Sequence, residues 1–382
     1  MSEKMHIKDL SVCICGGGSL GHVCAAFIGS RGFKVSILTN HPESWKKDVV
    51  ATDLQGKEYK VRLHAISSDA GSVVPAADII LFCLPGFLIK EELGKIRPWI
   101  HQNQWIGSVV SSTGFFFSAI SELGTDTKLF GFQRVPFIAR VDIYGQSVHL
   151  LGYKNSLNVA LWNVAEKELA HELFTALFST PVHLLDNVLE VSYTNSNPIL
   201  HPSRLYALFK VWNPAVKYDK PILFYEEWDN KSSEILIACD EEFKQLLHIL
   251  PMNEASIPSL LEYYEQTDAA SLTRKIRSIE AFKGILTPMK RTDDGMYVPD
   301  FSSRYFTEDV PYGLLIIKAT AQLMHFPTLH IDEVITWAQR MMGKQYLSEH
   351  QLADSEDVRN IGCIQPDAIR LLLNHYQHLR ND

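Results

Sequence analysis

A glycine cluster between two apolar runs is the feature that most restricts how this chain can fold. It lies in residues 14–40, ICGGGSLGHVCAAFIGSRGFKVSILTN, where a strand pattern precedes the glycines, a helical pattern follows them and a second strand pattern ends the stretch. This order of elements is typical of a parallel βαβ unit with the glycines at the turn between strand and helix. We therefore predict an α/β, Rossmann-type doubly wound domain at the amino-terminal end.

The spacing Gly16-x-Gly18-x-x-Gly21 gives each glycine a task in binding a dinucleotide. The first allows a tight turn, the second lets the backbone approach a pyrophosphate, and the third lets helix and strand pack closely. Ser19 and Leu20 then contribute backbone N–H groups at the amino terminus of the helix, which attracts phosphate. A glycine-rich turn that binds no ligand is the alternative interpretation.

The second strand pattern ends at Asn40, near the place where many NAD sites carry an acid that binds the ribose. Asn40 can hydrogen-bond a ribose, and His41, Lys46 and Lys47 can face a 2′-phosphate. We therefore predict NADP or NAD as the cofactor, with a lean towards NADP. The two lysines can equally belong to a solvated helix face.

Further strand patterns extend the predicted sheet. They are DIILFCLPG, IGSVVSST and KLFGFQRVPFIARV, with the helical pattern FLIKEELGKIRPWI between the first two. Leu84 and Pro85 directly follow the first of these strands, at the carboxyl edge where such sheets bind ligands. We assign both to the cofactor site, with an ordinary turn as the alternative.

The pattern changes around Val182, and the second half shows apolar residues at helical spacing only. The clearest stretches are EEFKQLLHILP, LTRKIRSIEAFKGIL, YGLLIIKATAQLM, IDEVITWAQRMMG and PDAIRLLLNHYQHL. A chain of 382 residues is also long for a single core. We expect a dinucleotide-binding domain over residues 1–186 and an all-helical substrate domain over residues 187–382.

Composition narrows the class of protein. The net charge of −8, most of it in the second half, argues against nucleic acid as a partner. The six cysteines are scattered without metal-ligand spacing, which predicts reduced thiols in a cytoplasmic protein and no metal site. No apolar run is long enough for a bilayer, and the first residues, MSEKMHIKDL, lack the apolar core of a signal peptide.

Two prolines in the second half are predicted to start helices, Pro202 in NSNPILHPSRLYALF and Pro311 in SSRYFTEDVPYGLL. His201 would then lie at a helix amino terminus, which disfavours an imidazolium, whereas a nearby carboxylate would fix its tautomer and restore its basicity. Asp309 can supply that carboxylate, and the Arg304 guanidinium can bind a substrate carboxylate with two hydrogen bonds. The alternatives are a helix-start histidine, a helix cap and a surface ion pair.

The same stretches resemble the signatures of the opine dehydrogenases, the family of octopine and nopaline dehydrogenase. NSNPILHP is similar to the family's Asn-Pro and His-Pro signature, and SRYFTEDVPYGL is similar to its Arg, Glu-Asp-Val-Pro-Tyr-Gly-Leu signature. VPFIARV with the following VHLLGYKNSLNVA resembles the strand region that ends the family's nucleotide domain. Together with the glycines, the resemblance extends over nearly the whole chain.

The resemblance implies a reaction in which an α-keto acid condenses with the amine of an amino acid and NAD(P)H reduces the imine. It makes His201 the acid and base, Asp309 its partner and Arg304 the group that binds the keto-acid carboxylate. We assign Asn197 and Gln133 to substrate binding as well, with an ordinary polar residue at the end of a strand as the alternative for Gln133. The expected partners are these two small molecules, without nucleic acid or membrane, and a homodimer is the assembly considered.

One departure and two rival interpretations stand beside this hypothesis. Ala139 occupies a position where some members of the family carry cysteine. A ketopantoate reductase or β-hydroxyacid dehydrogenase would reduce a keto acid alone, but Lys210 and Asn213 do not have the spacing of the lysine and asparagine of those enzymes. A non-catalytic NAD(P)-binding sensor would keep the glycines without needing His201, Asp309 and Arg304 together.

Overall fold

A computed structural model describes residues 7–381 and divides the chain into two compact units, Met1–Thr194 and Asn195–Asp382. The division falls after the boundary expected at residue 187, because a short helix over Leu189–Ser192 contacts a strand of the first unit. Residues 1–6 belong to the stretch in which we expect no signal peptide, and they lie outside the described residues.

The first unit contains an eight-stranded sheet and a four-stranded sheet. Its strands are β1 Ser11–Cys15, β2 Lys34–Leu38, β3 Asp48–Asp53, β4 Glu58–Arg62, β5 Ile66–Ser67, β6 Ile79–Phe82, β7 Trp105–Ser108, β8 Lys128–Phe132, β9 Phe137–Ile143, β10 Ser147–Tyr153, β11 Leu157–Trp162 and β12 Val182–Leu184. The large sheet has the order β12-β11-β8-β7-β6-β1-β2-β5, in which every neighbouring pair is parallel except β11 with β8.

Helices of the first unit connect parallel strands of the large sheet, and a short one follows β12. They are α1 Ser19–Ser30, α2 Gly86–Ile96, α3 Phe115–Leu123, α4 Lys167–Phe178 and α5 Leu189–Ser192. The chain leaves β1 towards β2 on one side, and β6 lies on the other side of β1, so the strand order reverses there. The predicted doubly wound fold is confirmed, and its ligand-binding crevice is expected at the carboxyl end of β1.

The run KLFGFQRVPFIARV, predicted as one strand, forms two strands in different sheets. β8 pairs in the large sheet, whereas β9 pairs antiparallel with β10 in the small sheet, which has the order β4-β3-β10-β9. Pro136 lies between them and cannot donate to a strand ladder. The prediction of a single strand was wrong because the apolar pattern continues across this break.

The second unit is built mainly from helices, as predicted. They are α6 Asn197–Phe209, α7 Asn230–Ile249, α8 Leu260–Tyr263, α9 Ala269–Ser278, α10 Arg304–Thr307, α11 Leu315–Leu323, α12 Leu329–Met342, α13 Glu356–Arg359 and α14 Pro366–Asn381, with a π-helical turn at Val310–Leu314. Two short hairpins accompany them, β13 Met289–Arg291 with β14 Tyr297–Pro299, and β15 Leu347–Ser348 with β16 Gln351–Leu352. These two hairpins were not expected in an all-helical domain.

None of the helices within residues 7–381 is long and apolar enough to cross a membrane. The six cysteines are free thiols with buried side chains. Among the described residues, no cluster of histidine, cysteine and carboxylate side chains could hold a metal ion.

Candidate active site

His201 lies inside α6 rather than at its mouth. The helix begins at Asn197, whose N–H donates to the Asn195 side chain, and Pro198 occupies the first turn. Pro202 therefore lies in the helix interior, where its missing N–H removes one backbone hydrogen bond. The prediction that Pro202 starts the helix was wrong because Pro198, one turn earlier, already takes that place.

Asp309 lies between α10 and the π-helical turn Val310–Leu314. Pro311 stands in the first turn of that π-helical segment, so its missing N–H costs little there. The backbone carbonyl of Asp309 accepts the N–H of Leu314 at 3.0 Å, and the Asp309 carboxylate caps no backbone N–H of this turn. Both features agree with the prediction for this second proline.

A glycine brings the two sequence signatures together. A Cβ atom on Gly313 would lie 2.3 Å from the Cβ and Cγ atoms of Pro198, so no larger residue fits without a shift. The turn Val310–Leu314 can therefore pack directly on the first turn of α6. This close approach places Asp309 beside His201, although 108 residues separate them in the chain.

The His201 and Asp309 side chains form a buried hydrogen-bonded pair. The distance from His201 Nδ1 to Asp309 Oδ2 is 2.8 Å, and the two side chains are 9% and 10% exposed. An ionised carboxylate can only accept, so Nδ1 carries the proton and donates it to Asp309. The Nε2 atom is then the nitrogen that can take up or release a proton.

Aromatic side chains surround the His201 imidazole. Tyr305 stacks on it with ring centroids 4.2 Å apart, and Phe224 meets it edge-on at 5.7 Å. The Tyr225 hydroxyl lies 3.0 Å from Nε2. Sequence reasoning missed these residues. Tyr305 adjoins Arg304 in the second signature, which was a usable signal, whereas Tyr225 lies in a loop without any recognisable pattern.

Arg304 is the first residue of α10, and its exposed side chain has no ion-pair or hydrogen-bond partner within residues 7–381. Asn197 is also exposed and lies four residues before His201, on the same face of α6. Gln133 belongs to the first unit, and its side-chain carbonyl accepts from Asn158 at 2.9 Å. That bond leaves the Gln133 NH₂ group available.

The glycine turn has the shape that a pyrophosphate cradle needs. Gly16 has φ +116°, and a Cβ there would lie 2.7 Å from the Cys83 carbonyl oxygen. A Cβ on Gly21 would lie 2.0 Å from the Gly16 carbonyl oxygen, whereas the side of Gly18 faces open space. The close packing and the open approach match the tasks expected of these glycines. The residues present therefore fit a dinucleotide.

His22 and Ser19 hold this turn in place, which the sequence analysis did not foresee. His22 Nδ1 donates to the Gly18 carbonyl oxygen at 2.9 Å, and its Nε2 accepts the N–H of Gly145 at 2.7 Å. Burial lowers the pKa of His22, which favours the neutral ring that this arrangement requires. The Ser19 hydroxyl oxygen accepts the N–H of Val141 at 3.1 Å, which leaves its O–H able to donate to a phosphate.

A cavity of about 230 Å³ opens beside the glycine turn. Its lining residues are Gly16, Gly17, Leu38, Thr39, Asn40, His41, Leu84, Leu88, Glu91, Glu92, Lys95 and Tyr144. Gly16, Asn40 and Leu84, which we assign to the cofactor site from the sequence, are among these lining residues. Pro85 instead precedes the first residue of α2, and neither Lys46 nor Lys47 is among the lining residues.

The charged groups of this cavity come from α2. The Lys95 ammonium lies 3.0 Å from Glu91 and 3.3 Å from Glu92, and it contacts the side-chain oxygen of Asn40 at 3.4 Å. Burial raises the pKa of Glu92. Two carboxylates therefore share one ammonium group beside Asn40.

Two family models match the chain. The model described as NAD/NADP octopine/nopaline dehydrogenase, alpha-helical domain, matches residues 184–342. The model described as Ketopantoate reductase PanE/ApbA matches residues 12–111, which lie within the dinucleotide-binding unit. The two matches therefore cover the glycine turn on one side and His201, Arg304 and Asp309 on the other.

Relatives match over almost the full length. Opine dehydrogenase from Haliotis discus hannai is 28% identical, over 94% of this chain and 96% of that protein. The solved structure of octopine dehydrogenase with NADH and L-arginine has a TM-score of 0.83 and 25% identity, over 96% of this chain and 98% of the other. The octopine dehydrogenase structure with NADH and pyruvate has a TM-score of 0.81 and 25% identity, over 94% and 95%.

Proposed function

Because the chain belongs to the opine dehydrogenase family, we propose that it reductively condenses an α-keto acid with the amine of an amino acid, using NAD(P)H. The observation that carries this proposal is the buried pair of His201 and Asp309, formed by two distant signatures. Imine formation and reduction require a proton to move at neutral pH, and this pair can move one.

We assign His201 the proton transfers of the condensation. As a base, Nε2 takes a proton from the ammonium group of the amino acid, which frees the amine to attack the keto carbon. As an acid, it returns that proton to the hydroxyl of the adduct, which leaves as water. Asp309 holds Nδ1 protonated and stabilises the imidazolium between these two steps. A bound nicotinamide cofactor supplies hydride to the resulting imine carbon.

Arg304 and Asn197 are proposed to orient the substrates. The unpaired Arg304 guanidinium can bind the keto-acid carboxylate with two parallel hydrogen bonds. Asn197 can hydrogen-bond a substrate from the same face of α6 as His201. We also keep Gln133 as a substrate-binding residue, through its NH₂ group.

For the cofactor we propose the glycine turn with Gly16, Gly18 and Gly21, the backbone of Ser19 and Leu20, and the cavity beside them. Asn40, Leu84 and Pro85 complete this assignment. We further propose that NADH is preferred over NADPH, because two carboxylates share one ammonium group beside Asn40 and disfavour a 2′-phosphate.

The rival activity is reduction of a keto acid alone, which the ketopantoate reductase match over residues 12–111 suggests. That match involves only the dinucleotide-binding unit, whereas the octopine/nopaline model covers the helical residues that carry His201, Arg304 and Asp309. We therefore favour the condensation. We also infer a cytoplasmic location from the six free thiols. The homodimer stays a prediction, which a molar mass from light scattering would test.

The test is an assay of NADH oxidation over a panel of α-keto acids, each with and without a panel of amino acids. We expect oxidation only when both organic partners are present. The His201→Ala variant should lose turnover by a factor on the order of 10² or more and keep its NADH affinity. Oxidation with keto acid alone would favour the reductase, and no oxidation at all would favour a sensor.

A further inference from the structure

His201 is buried, and its Nε2 atom lies against a neighbouring side chain in this structure. The Tyr225 hydroxyl lies on it at 3.0 Å, and the imidazole is otherwise enclosed by Asp309, Tyr305 and Phe224. Since Nδ1 donates to Asp309, a neutral His201 accepts the Tyr225 O–H at Nε2, and an imidazolium donates from Nε2 to the same oxygen. The tyrosine hydroxyl suits both protonation states of the histidine.

The segment that carries Tyr225 is held rigidly by α6 itself. Arg204, three residues after His201 and 1% exposed, donates to the backbone carbonyl oxygens of Phe224 and Glu227. The same guanidinium donates to Ser232 at 2.8 Å and stacks over the Trp228 ring. One helix therefore fixes both the histidine and the loop that supplies its hydroxyl partner.

The Tyr225 ring is anchored from the other side as well. It stacks on Phe282 with ring centroids 4.1 Å apart and lies parallel to Trp228 at 6.1 Å. Burial raises the pKa of the Tyr225 hydroxyl, so the phenol keeps its proton and remains able to donate. The hydroxyl is the only polar group of the Tyr225 side chain, and it lies within hydrogen-bonding distance of His201 Nε2.

We propose that Tyr225 is a catalytic residue that relays the proton between His201 Nε2 and the reacting substrates. This inference rests on the proposed condensation. In the acid step, the Tyr225 O–H bond breaks as its proton passes to the leaving hydroxyl, and the Nε2 proton re-forms the O–H bond. The carbon–oxygen bond of the adduct breaks and water leaves, while His201 becomes neutral. The base step runs the same two transfers in reverse, from the substrate ammonium to Nε2.

The test compares Tyr225→Phe with Tyr346→Phe in the full-length protein. Tyr225→Phe keeps the ring stacking but removes the hydroxyl from Nε2. Tyr346→Phe is the matched control, because Tyr346 is also a buried tyrosine of the second unit but, in the part of the chain that the structure describes, forms no ring contact or hydrogen bond with His201. We expect kcat to fall by a factor on the order of 10² or more in Tyr225→Phe and by less than about 5-fold in the control. The NADH affinity and Tm of both variants should stay near those of the wild type.

A second readout does not depend on turnover. The ¹⁵N chemical shift of His201 Nε2 should change in Tyr225→Phe and stay near the wild-type value in Tyr346→Phe. Wild-type kcat in Tyr225→Phe, an equal loss in both variants, or an unchanged Nε2 shift would overturn the relay. If the wild-type protein oxidises NADH with no pair of substrates, the proposed function itself fails, and the relay fails with it.

Discussion

The residues that define the chemistry lie far apart in the sequence and meet through one small contact. Gly313 lacks the Cβ that would collide with Pro198, and this allows Asp309 to reach His201. The identity of the acid–base pair could be predicted from the two signatures. The contact between Gly313 and Pro198 could not be predicted, because the identity of a glycine or a proline does not indicate which distant residue it packs against.

Arg304 gives a test at the scale of a single side chain. We expect Arg304→Lys to raise the KM for the keto acid, since an ammonium cannot reproduce the two parallel hydrogen bonds of a guanidinium. The loss should be on the order of 2–3 kcal/mol, or roughly 30- to 150-fold. The measurement is steady-state kinetics with the keto acid varied at saturating amine and NADH.

The matched control for Arg304 is Arg277→Lys, an exposed arginine in the last turn of α9. This variant should leave the keto-acid KM unchanged. An unchanged KM in Arg304→Lys would show that Arg304 does not touch the substrate, and an equal rise in both variants would show that the effect is not specific to position 304.

At the scale of elements, a substitution in the turn between β1 and α1 would test whether this turn binds the cofactor. Gly21→Ala should lower NADH affinity and stability together, because the new Cβ would lie 2.0 Å from the Gly16 carbonyl oxygen. Gly94→Ala is the control, since Gly94 lies within α2 and a Cβ there meets nothing within 4 Å. That variant should gain up to about 1 kcal/mol of stability.

Fluorescence titration with NADH and thermal unfolding measure both effects. If Gly21→Ala bound NADH like the wild type, the turn over residues 16–21 would not be the pyrophosphate site. If Gly94→Ala lost as much affinity as Gly21→Ala, the loss could not be attributed to the turn.

Substitutions in helix α2 would test the proposed preference for NADH over NADPH. The wild type should bind NADH about 10-fold or more tightly than NADPH. The Lys95 ammonium is already paired with Glu91 and Glu92, and these two carboxylates disfavour a 2′-phosphate. The double variant Glu91→Gln, Glu92→Gln should narrow that ratio by releasing Lys95 towards a 2′-phosphate. Glu172→Gln, an exposed residue of α4, should leave the ratio unchanged.

The measurement is the Kd of each variant for both cofactors. A wild-type preference for NADPH would contradict the proposed role of these carboxylates. It would instead agree with the lean towards NADP drawn from Lys46 and Lys47, although neither residue lines the cavity.

Strands and helices with a regular hydrophobic pattern could be predicted from the sequence. Elements fixed by long-range pairing or by individual side chains could not. The alternation of strands and helices indicated the large parallel sheet, and helical spacing indicated the second unit. The small sheet was missed because its strands pair across long stretches of sequence, such as β3 with β10. The loop with Tyr225 was missed because Arg204 and the aromatic rings fix it, and neither follows a sequence period.

At the scale of the whole molecule, each unit contributes a separate requirement for the reaction. The first unit offers a glycine turn and cavity that fit a dinucleotide, and the second offers a buried acid–base pair with an unpaired arginine nearby in sequence. A protein that only bound NAD(P)H would need the first set alone. The presence of both sets in one chain is what makes the reductive condensation the central claim.

The most direct test of that claim is the mass of the product formed with NADH deuterated at the transferred position. With an α-keto acid and an amino acid, we predict a secondary amine dicarboxylate that contains both carbon skeletons, one deuterium on the former keto carbon and no keto oxygen. A deuterated 2-hydroxy acid, with the amino acid recovered unchanged, would contradict the account.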